Sequence, residues 1–433
     1  NLDRDGLVYV LAPARWRRMI TRLLAAHSLS IELAILHHPN WTTSRYLVPI
    51  QTAPIEYAFT ALAPARESRR WLARLALVTP LGEKGVSAFL PAAGLVARRP
   101  SARRICEWLF RRNAHSSQVG TFLIQSSWRG ATTGGVVVYH FPGTEPHPDS
   151  VAKVATTAHQ EWGQAQEAKN LIDLAPKARD AGVRVPRLLA QEKIGDRTVL
   201  YETALRGQAL SILLAQHPAR SRNLLEQLVN WLAHWNQSTR IIRRINPEEL
   251  NRAIIQPAQR VTPFCEQGED YLNWLIRRCE ESIGVPMPFV AAHNDLTMAN
   301  IVQSDDGIFG ILDWEAARRI NFPLTDLFYM YVDAVAAAQV YTSRLRAFEA
   351  CFISDGTHSA HFKEQQQRIL RAIELPGALY DLCLHACWLH HAVNEQRAST
   401  AISPRPFLEI VQWLARNYQS HATFVFNSLF SSS

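Results

Sequence analysis

The sequence predicts a bilobal α+β fold: a small antiparallel β lobe, then a larger and mostly helical lobe, with a β-α-β segment in front of both. Three observations carry this expectation. After Gly120 come three short β-type runs, at 121–125, 135–141 and 151–155, divided by turn-forming stretches rich in Gly, Thr and Pro. Beyond Gly207 the apolar residues fall at helical spacing, as in 223–236, where Leu224, Leu225, Leu228, Trp231, Leu232 and Trp235 share a face. One hairpin, 301–313, interrupts that helical region around an Asp-Asp-Gly turn.

The elements follow in order. A strand over 6–11, a helix over 14–27 and a strand over 30–36 form the front unit, with Trp16, Ile20, Leu23 and Leu24 spaced for one helix face. Residues 52–112 are rich in Ala, Arg and Pro and read as a bridge, with helices near 65–77 and 101–112. The β meander leads into a helix over 160–174. A further strand pair follows and ends at Val199-Leu-Tyr-Glu. The expected domains are therefore 1–112 as a basic accessory segment and linker, 113–206 as the β lobe, and 207–433 as the helical lobe.

Composition sets outer bounds. At 433 residues, with 47% hydrophobic and 19% charged side chains, the chain can bury a sizeable core, which excludes disordered and disulfide-stapled miniprotein classes. Six scattered cysteines form no framework, so a reducing compartment, the cytoplasm, is expected. No run reaches the length of apolar residues that a membrane span needs. The chain begins at Asn1 rather than Met, which suggests a trimmed or partial chain.

The net charge of +8 is uneven: residues 1–120 hold 17 Lys/Arg against 7 Asp/Glu. Their arginines come in isolated pairs without a reading helix or RNA-binding motif. A solvated basic face is expected, and nucleic acid is not. Nothing in the sequence fixes an oligomeric state.

The chemistry is concentrated in Val290-Ala-Ala-His-Asn-Asp-Leu-Thr-Met-Ala-Asn-Ile-Val and in the later Ile308-Phe-Gly-Ile-Leu-Asp-Trp-Glu. An acid and an amide five positions apart on a tight loop can converge, and the hairpin returns Asp313 beside them. Asn300 and Asp313 then offer hard oxygens suited to Mg²⁺, and Asp295 is left to accept a proton from an attacking hydroxyl. A rival cluster, Cys383, Cys387, His390 and His391, shares one helix face and reads as packing instead of zinc.

At these residues the chain resembles the aminoglycoside phosphotransferase and choline kinase family, relatives of protein kinases. The shared pattern is His-Gly-Asp-Leu, three residues, Asn, then Ile-Asp-Trp/Phe, and His293-Asn294-Asp295-Leu296 with Asn300 matches it except for Asn294 in place of Gly. The resemblance implies a protein-kinase-like fold over roughly 115–430, with ATP and Mg²⁺ as cofactors. It makes Asp295 the catalytic base, has His293 brace the loop, and has Asn300 and Asp313 hold the metal. The Asn-for-Gly change fits a left-handed backbone, which Asn tolerates.

The same resemblance implies that Lys153 binds the α and β phosphates, braced by Glu167 with Glu161 as the fallback partner. It also puts Ser126 and Ser127 in the phosphate-covering turn, and the backbone of Glu202 to Ala204 at the adenine edge. Asp326 matches an aspartate that supports the catalytic loop. The expected acceptor is a small molecule with a hydroxyl group. Residues 331–433 hold 8 Asp/Glu and 8 Lys/Arg, a balance better suited to a neutral sugar or amino alcohol than to a polycation. The alternative is an inactive kinase-like binding or adaptor protein. Because Lys153, Asp295, Asn300 and Asp313 are all present, a working enzyme is the expectation.

Separately, the front strand-helix-strand resembles the last such unit of a SAM-dependent methyltransferase fold. The glycine-rich cofactor loop of that fold has no counterpart, so methyl transfer is not expected.

Overall fold

The computed structural model describes residues 7–13, 16–38, 46–62, 92–100, 120–126, 135–143, 145–398 and 405–430. The chain divides into two compact units, Asn1–Ala168 with Pro186–Gln208, and Lys169–Val185 with Ala209–Ser433.

Among the described residues the first unit is built on one antiparallel sheet of nine strands: β1 Leu7–Pro13, β2 Ser30–His38, β3 Tyr46–Pro49, β4 Ala92–Arg98, β5 Thr121–Ser126, β6 Val136–Phe141, β7 Ser150–Val154, β8 Leu188–Ile194 and β9 Arg197–Thr203. Their spatial order is β1-β4-β2-β3-β5-β6-β7-β9-β8. The front strand-helix-strand is present, with α1 at Arg17–Ala26, but β1 and β2 do not pair with each other. β4 lies between them, its Leu95 opposite Val10 on one side and Ala34 on the other.

The reading of 52–112 as a bridge missed β4. Its sequence, Ala-Ala-Gly-Leu-Val-Ala-Arg, has too little branched or aromatic character to announce a strand, and two neighbours supply what local propensity lacks. The helices expected at 65–77 and 101–112 lie outside the described residues, as does Ser127.

Two apolar clusters anchor this sheet. Phe122, Val138, Ala152, Val199 and Tyr201 form one. The other joins Tyr46, Val48 and Ile50 of the β3 region and Ile55 and Tyr57 of the short helix α2 (Thr52–Tyr57) to Leu123 of β5 and Phe141 of β6. Front-segment side chains thus share a core with the meander strands, and Tyr46 pairs with Gln125 across β3 and β5.

After β7 comes α3, Ala158–Asp173, close to the expected helix. The second unit is mainly helical. Its longer helices are α4 Ser221–Thr239, α5 Gly268–Ser282, α6 Thr325–Ala338, α7 Arg344–Phe352, α8 Thr357–Ile373, α9 Tyr380–Ala398 and α10 Pro406–Phe430. α4 buries the six apolar residues its periodicity selected.

The expected hairpin is present as β12 Ile301–Gln303 and β13 Phe309–Ile311, with Ile301 opposite Ile311. It is not the sole β element of the unit, and that expectation is corrected. β10 Ile241–Arg244 and β14 Arg318–Asn321 flank β11 Pro286–Ala292 in a second antiparallel sheet. β11 is buried continuously from Met287 to Ala292, so it carries no alternation by which a period of two could reveal it. No helix among the described residues is long and apolar enough to cross a membrane.

Candidate active site

In the first unit Lys153 stands on β7, opposite Leu200 of β9. Its Nζ lies 2.6 Å from Glu167 Oε1 on α3 and 3.3 Å from Glu202 Oε1 on β9. Both carboxylates are almost fully buried, at 1% and 4% side-chain exposure, whereas Lys153 keeps 19%. Gln164 Nε2 donates to the Lys153 carbonyl at 2.8 Å, which ties the helix to the strand one turn before Glu167. Glu161, the fallback partner, accepts instead from the Thr198 hydroxyl.

Sequence reading considered only the backbone of Glu202. The structure gives its side chain a place beside Lys153. Only the register shows it: Val151 is opposite Glu202 and Lys153 opposite Leu200, so alternation puts both side chains on one face of the sheet. The Ala204 N–H is engaged by the Asp149 carbonyl at 2.9 Å. Ser126 ends β5.

In the second unit, β11 delivers the chain into the loop that begins at His293. Asp326, in the first turn of α6, accepts the N–H of His293 at 2.7 Å and that of Asn294 at 2.8 Å. Two turns along the same helix, Asp333 accepts the N–H of Met298 at 2.7 Å and is itself paired with Arg344 of α7. The loop is therefore clamped at both ends by carboxylates of one helix. Asp326 was expected to support the loop; Asp333 and Arg344 were not singled out, and for Asp333 the signal was a charge inside an otherwise apolar helix.

Between those clamps lies Asp295. Asn300 Nδ2 donates to Asp295 Oδ2 at 2.9 Å and to the Asp295 carbonyl at 3.0 Å, so the acid and the amide five positions later do meet. Burial first, and then the Asp313 carboxylate, push Asp295 up to about 8, against the lowering effect of the Asn300 hydrogen bond. Burial likewise raises Asp326 to about 6 despite its two backbone donors.

Asn294 has φ +63°, the left-handed backbone that the Asn-for-Gly change requires. Its side chain is engaged too, donating to the Ala316 carbonyl at 3.1 Å and accepting from Asn321 Nδ2 at 2.7 Å. His293 is buried, with Nε2 2.9 Å from the Leu312 carbonyl and its ring edge-on to Trp314 at 5.1 Å. That bond ties the loop to the residue before Asp313, which also stands at φ +63°. Leu312 N donates in turn to the Asn300 carbonyl.

The donor set fits a hard divalent ion. With its nitrogen committed to Asp295, Asn300 has its amide oxygen to offer, and Asp313 adds a carboxylate. Among the described residues no group of three or more His, Cys, Asp or Glu side chains could hold a metal, so an ion here would draw its remaining ligands from phosphate and water. Cys383 and Cys387 are buried thiols, and Cys387 is directed at the Thr325 carbonyl.

Among solved structures the chain is similar to an aminoglycoside phosphotransferase from Streptomyces rimosus ATCC10970, at 13% identity and TM-score 0.40 over 66% of this chain and 96% of that one. It is also similar to a macrolide 2'-phosphotransferase from Brachybacterium faecium, at 20% identity and TM-score 0.33 over 65% of this chain and 92% of that one. A search of curated proteins returned no match. Residues 143–362, about half of the chain and inclusive of Lys153, Asp295, Asn300 and Asp313, match the phosphotransferase enzyme family. The chain belongs to that family and is a kinase-type phosphotransferase.

Proposed function

We propose that the protein is an ATP- and Mg²⁺-dependent kinase that moves the γ-phosphoryl group to a hydroxyl of a small molecule, with Asp295 as the general base. The observation that carries this reading is the Asn300–Asp295 hydrogen bond inside a loop clamped by Asp326 and Asp333. An acid held so firmly is preoriented to take the proton of an attacking hydroxyl, and phosphoryl transfer depends mainly on such positioning.

Asn300 and Asp313 would hold Mg²⁺, which when bound neutralises phosphate charge. Lys153 would bind the α and β phosphates, kept extended by Glu167. Ser126 and Ser127 would cover the phosphates, and the backbone from Glu202 to Ala204 would border the adenine. His293 would brace the loop through its bond to the Leu312 carbonyl, just past β13. The acceptor is read as neutral, a sugar or amino alcohol, and the setting as cytoplasmic.

The test is thermal. Mg-ATP should raise the melting temperature, ATP in chelator should do so much less, and Asp313→Ala should erase the difference. Equal shifts with and without Mg²⁺ would refute the assignment of the metal site.

A further inference from the structure

The helix that clamps the catalytic loop also carries a side chain with no role in the clamp. Tyr329 lies one turn after Asp326 and one turn before Asp333, so it shares their face of α6. Those two acids hold residues 293–294 and residue 298, and the loop positions between these points are 295–297, Asp295 the first of them. Electrostatics agree with the placement: after burial, the charges of Asp295 and Asp333 hold the Tyr329 phenol well above its ordinary value. Among the described residues the Tyr329 hydroxyl has no hydrogen bond.

Its ring is backed by α9. Cys387 reaches the Thr325 carbonyl, and one turn further on each helix His391 stacks on Tyr329, with ring centroids 3.6 Å apart and planes 18° from parallel. Phe407 of α10 stands 5.5 Å from both rings. His391 is 5% exposed, and its Nε2 is buried with no hydrogen-bond partner among the described residues. Burial holds this imidazole well below its ordinary value, hence neutral at pH 7, with one donor and one acceptor nitrogen.

Buried polar atoms without partners are uncommon and call for a reason. We propose that Tyr329 and His391 form the acceptor subsite beside Asp295, binding the non-reacting hydroxyl groups of an uncharged polyol so that a neighbouring hydroxyl meets the base. The proposal rests on the phosphotransfer reading above. Both groups are neutral and can donate as well as accept, which suits hydroxyls. A cationic acceptor would want a carboxylate, and Asp333, the acid next to Tyr329 on its own helix face, is already held by Arg344.

The test uses the full chain with Mg-ATP and five probes: D-glucose, myo-inositol and glycerol as uncharged polyols, choline and ethanolamine as cationic ones. Phosphorylation of at least one polyol is expected. Tyr329→Phe keeps the stacked ring and should raise the KM for that polyol about tenfold, the scale of one lost hydrogen bond, with kcat changed far less. His391→Gln is the second variant, with the same expected split. An unchanged polyol KM in both variants would overturn the subsite. Turnover with the cationic probes only, or with none of the five while Mg-ATP still raises the melting temperature, would overturn the substrate class. Absence of any Mg-ATP effect on melting would instead remove the phosphotransfer reading itself, and the subsite with it.

Discussion

Lys153 is shared between two carboxylates: Glu202 reaches it from the neighbouring strand at 3.3 Å while Glu167 holds it from the helix. Two buried carboxylates thus share one partly exposed ammonium, which offsets part of the cost of burying them. Breaking a buried pair by deleting one partner costs more than the pair itself contributes, because the surviving charge is left uncompensated.

Lys153→Met should therefore destabilise the protein by about 3 kcal/mol as well as weaken nucleotide binding. Adding Glu202→Gln to that variant should return part of the loss. Urea unfolding of the single and double variants measures both, and a double variant less stable than the single would contradict the shared arrangement.

Asn294 sits where a glycine is expected, so substitutions there separate backbone strain from side-chain bonding. Asn294→Gly relieves the left-handed backbone but loses the bonds to Ala316 and from Asn321, for a net cost of about 1 kcal/mol. Asn294→Ala loses the same bonds and keeps the strain, and should cost roughly 1 kcal/mol more. Denaturation midpoints at constant m-value report the order, and equal costs would mean that the backbone at 294 relaxes.

Asp326 gives the stability a pH dependence of definite sign. Its folded-state value, about 6, lies above the 3.8 of an unperturbed aspartate, so the folded state binds the proton more tightly than the unfolded one. This contribution is complete below pH ~3.8 and is lost as pH rises through 6, to an extent on the order of 3 kcal/mol. Glu395, raised to about 7, and Asp381, raised to about 6, act in the same direction. Asp326→Asn should flatten the fall in stability between pH 4 and 7, as measured by chemical unfolding at each pH.

Asp295→Asn should leave the fold intact and lower turnover by about 10²–10⁴, the usual contribution of a positioned base. Single-turnover assays beside a melting curve check both parts. Near-normal turnover would take Asp295 out of the mechanism.

The loop geometry was legible because it is local. Asp295 and Asn300 lie five positions apart on one turn, and the left-handed backbone at Asn294 follows from an Asn standing for Gly. The pairing of Lys153 with Glu167 was expected from the family resemblance alone, since a strand lysine between apolar neighbours reads by itself as a solvated face. What escaped was decided by distant partners. β4 is a strand because β1 and β2 lie on either side of it. β11 hides its period by being buried on both faces, and the place of Glu202 beside Lys153 needs the β7–β9 register. The clamp at Asp333 needs α6 to be laid along the loop, and no spacing within the helix announces that.

The pairing of β3 with β5 also orders events in time. During synthesis Tyr46, Val48 and Ile50 leave the ribosome long before Leu123 and Phe141, the side chains they pack against. β2 likewise waits for β4 before its second edge is covered. Until the meander emerges, the nascent chain carries unpaired strand edges and bare apolar side chains, the state most prone to misassociation. Closing the sheet late, from contacts far apart in sequence, makes its formation slow. The yield of folded protein in a cell should thus be governed by translation speed and chaperone supply over this stretch, even where the finished molecule is stable.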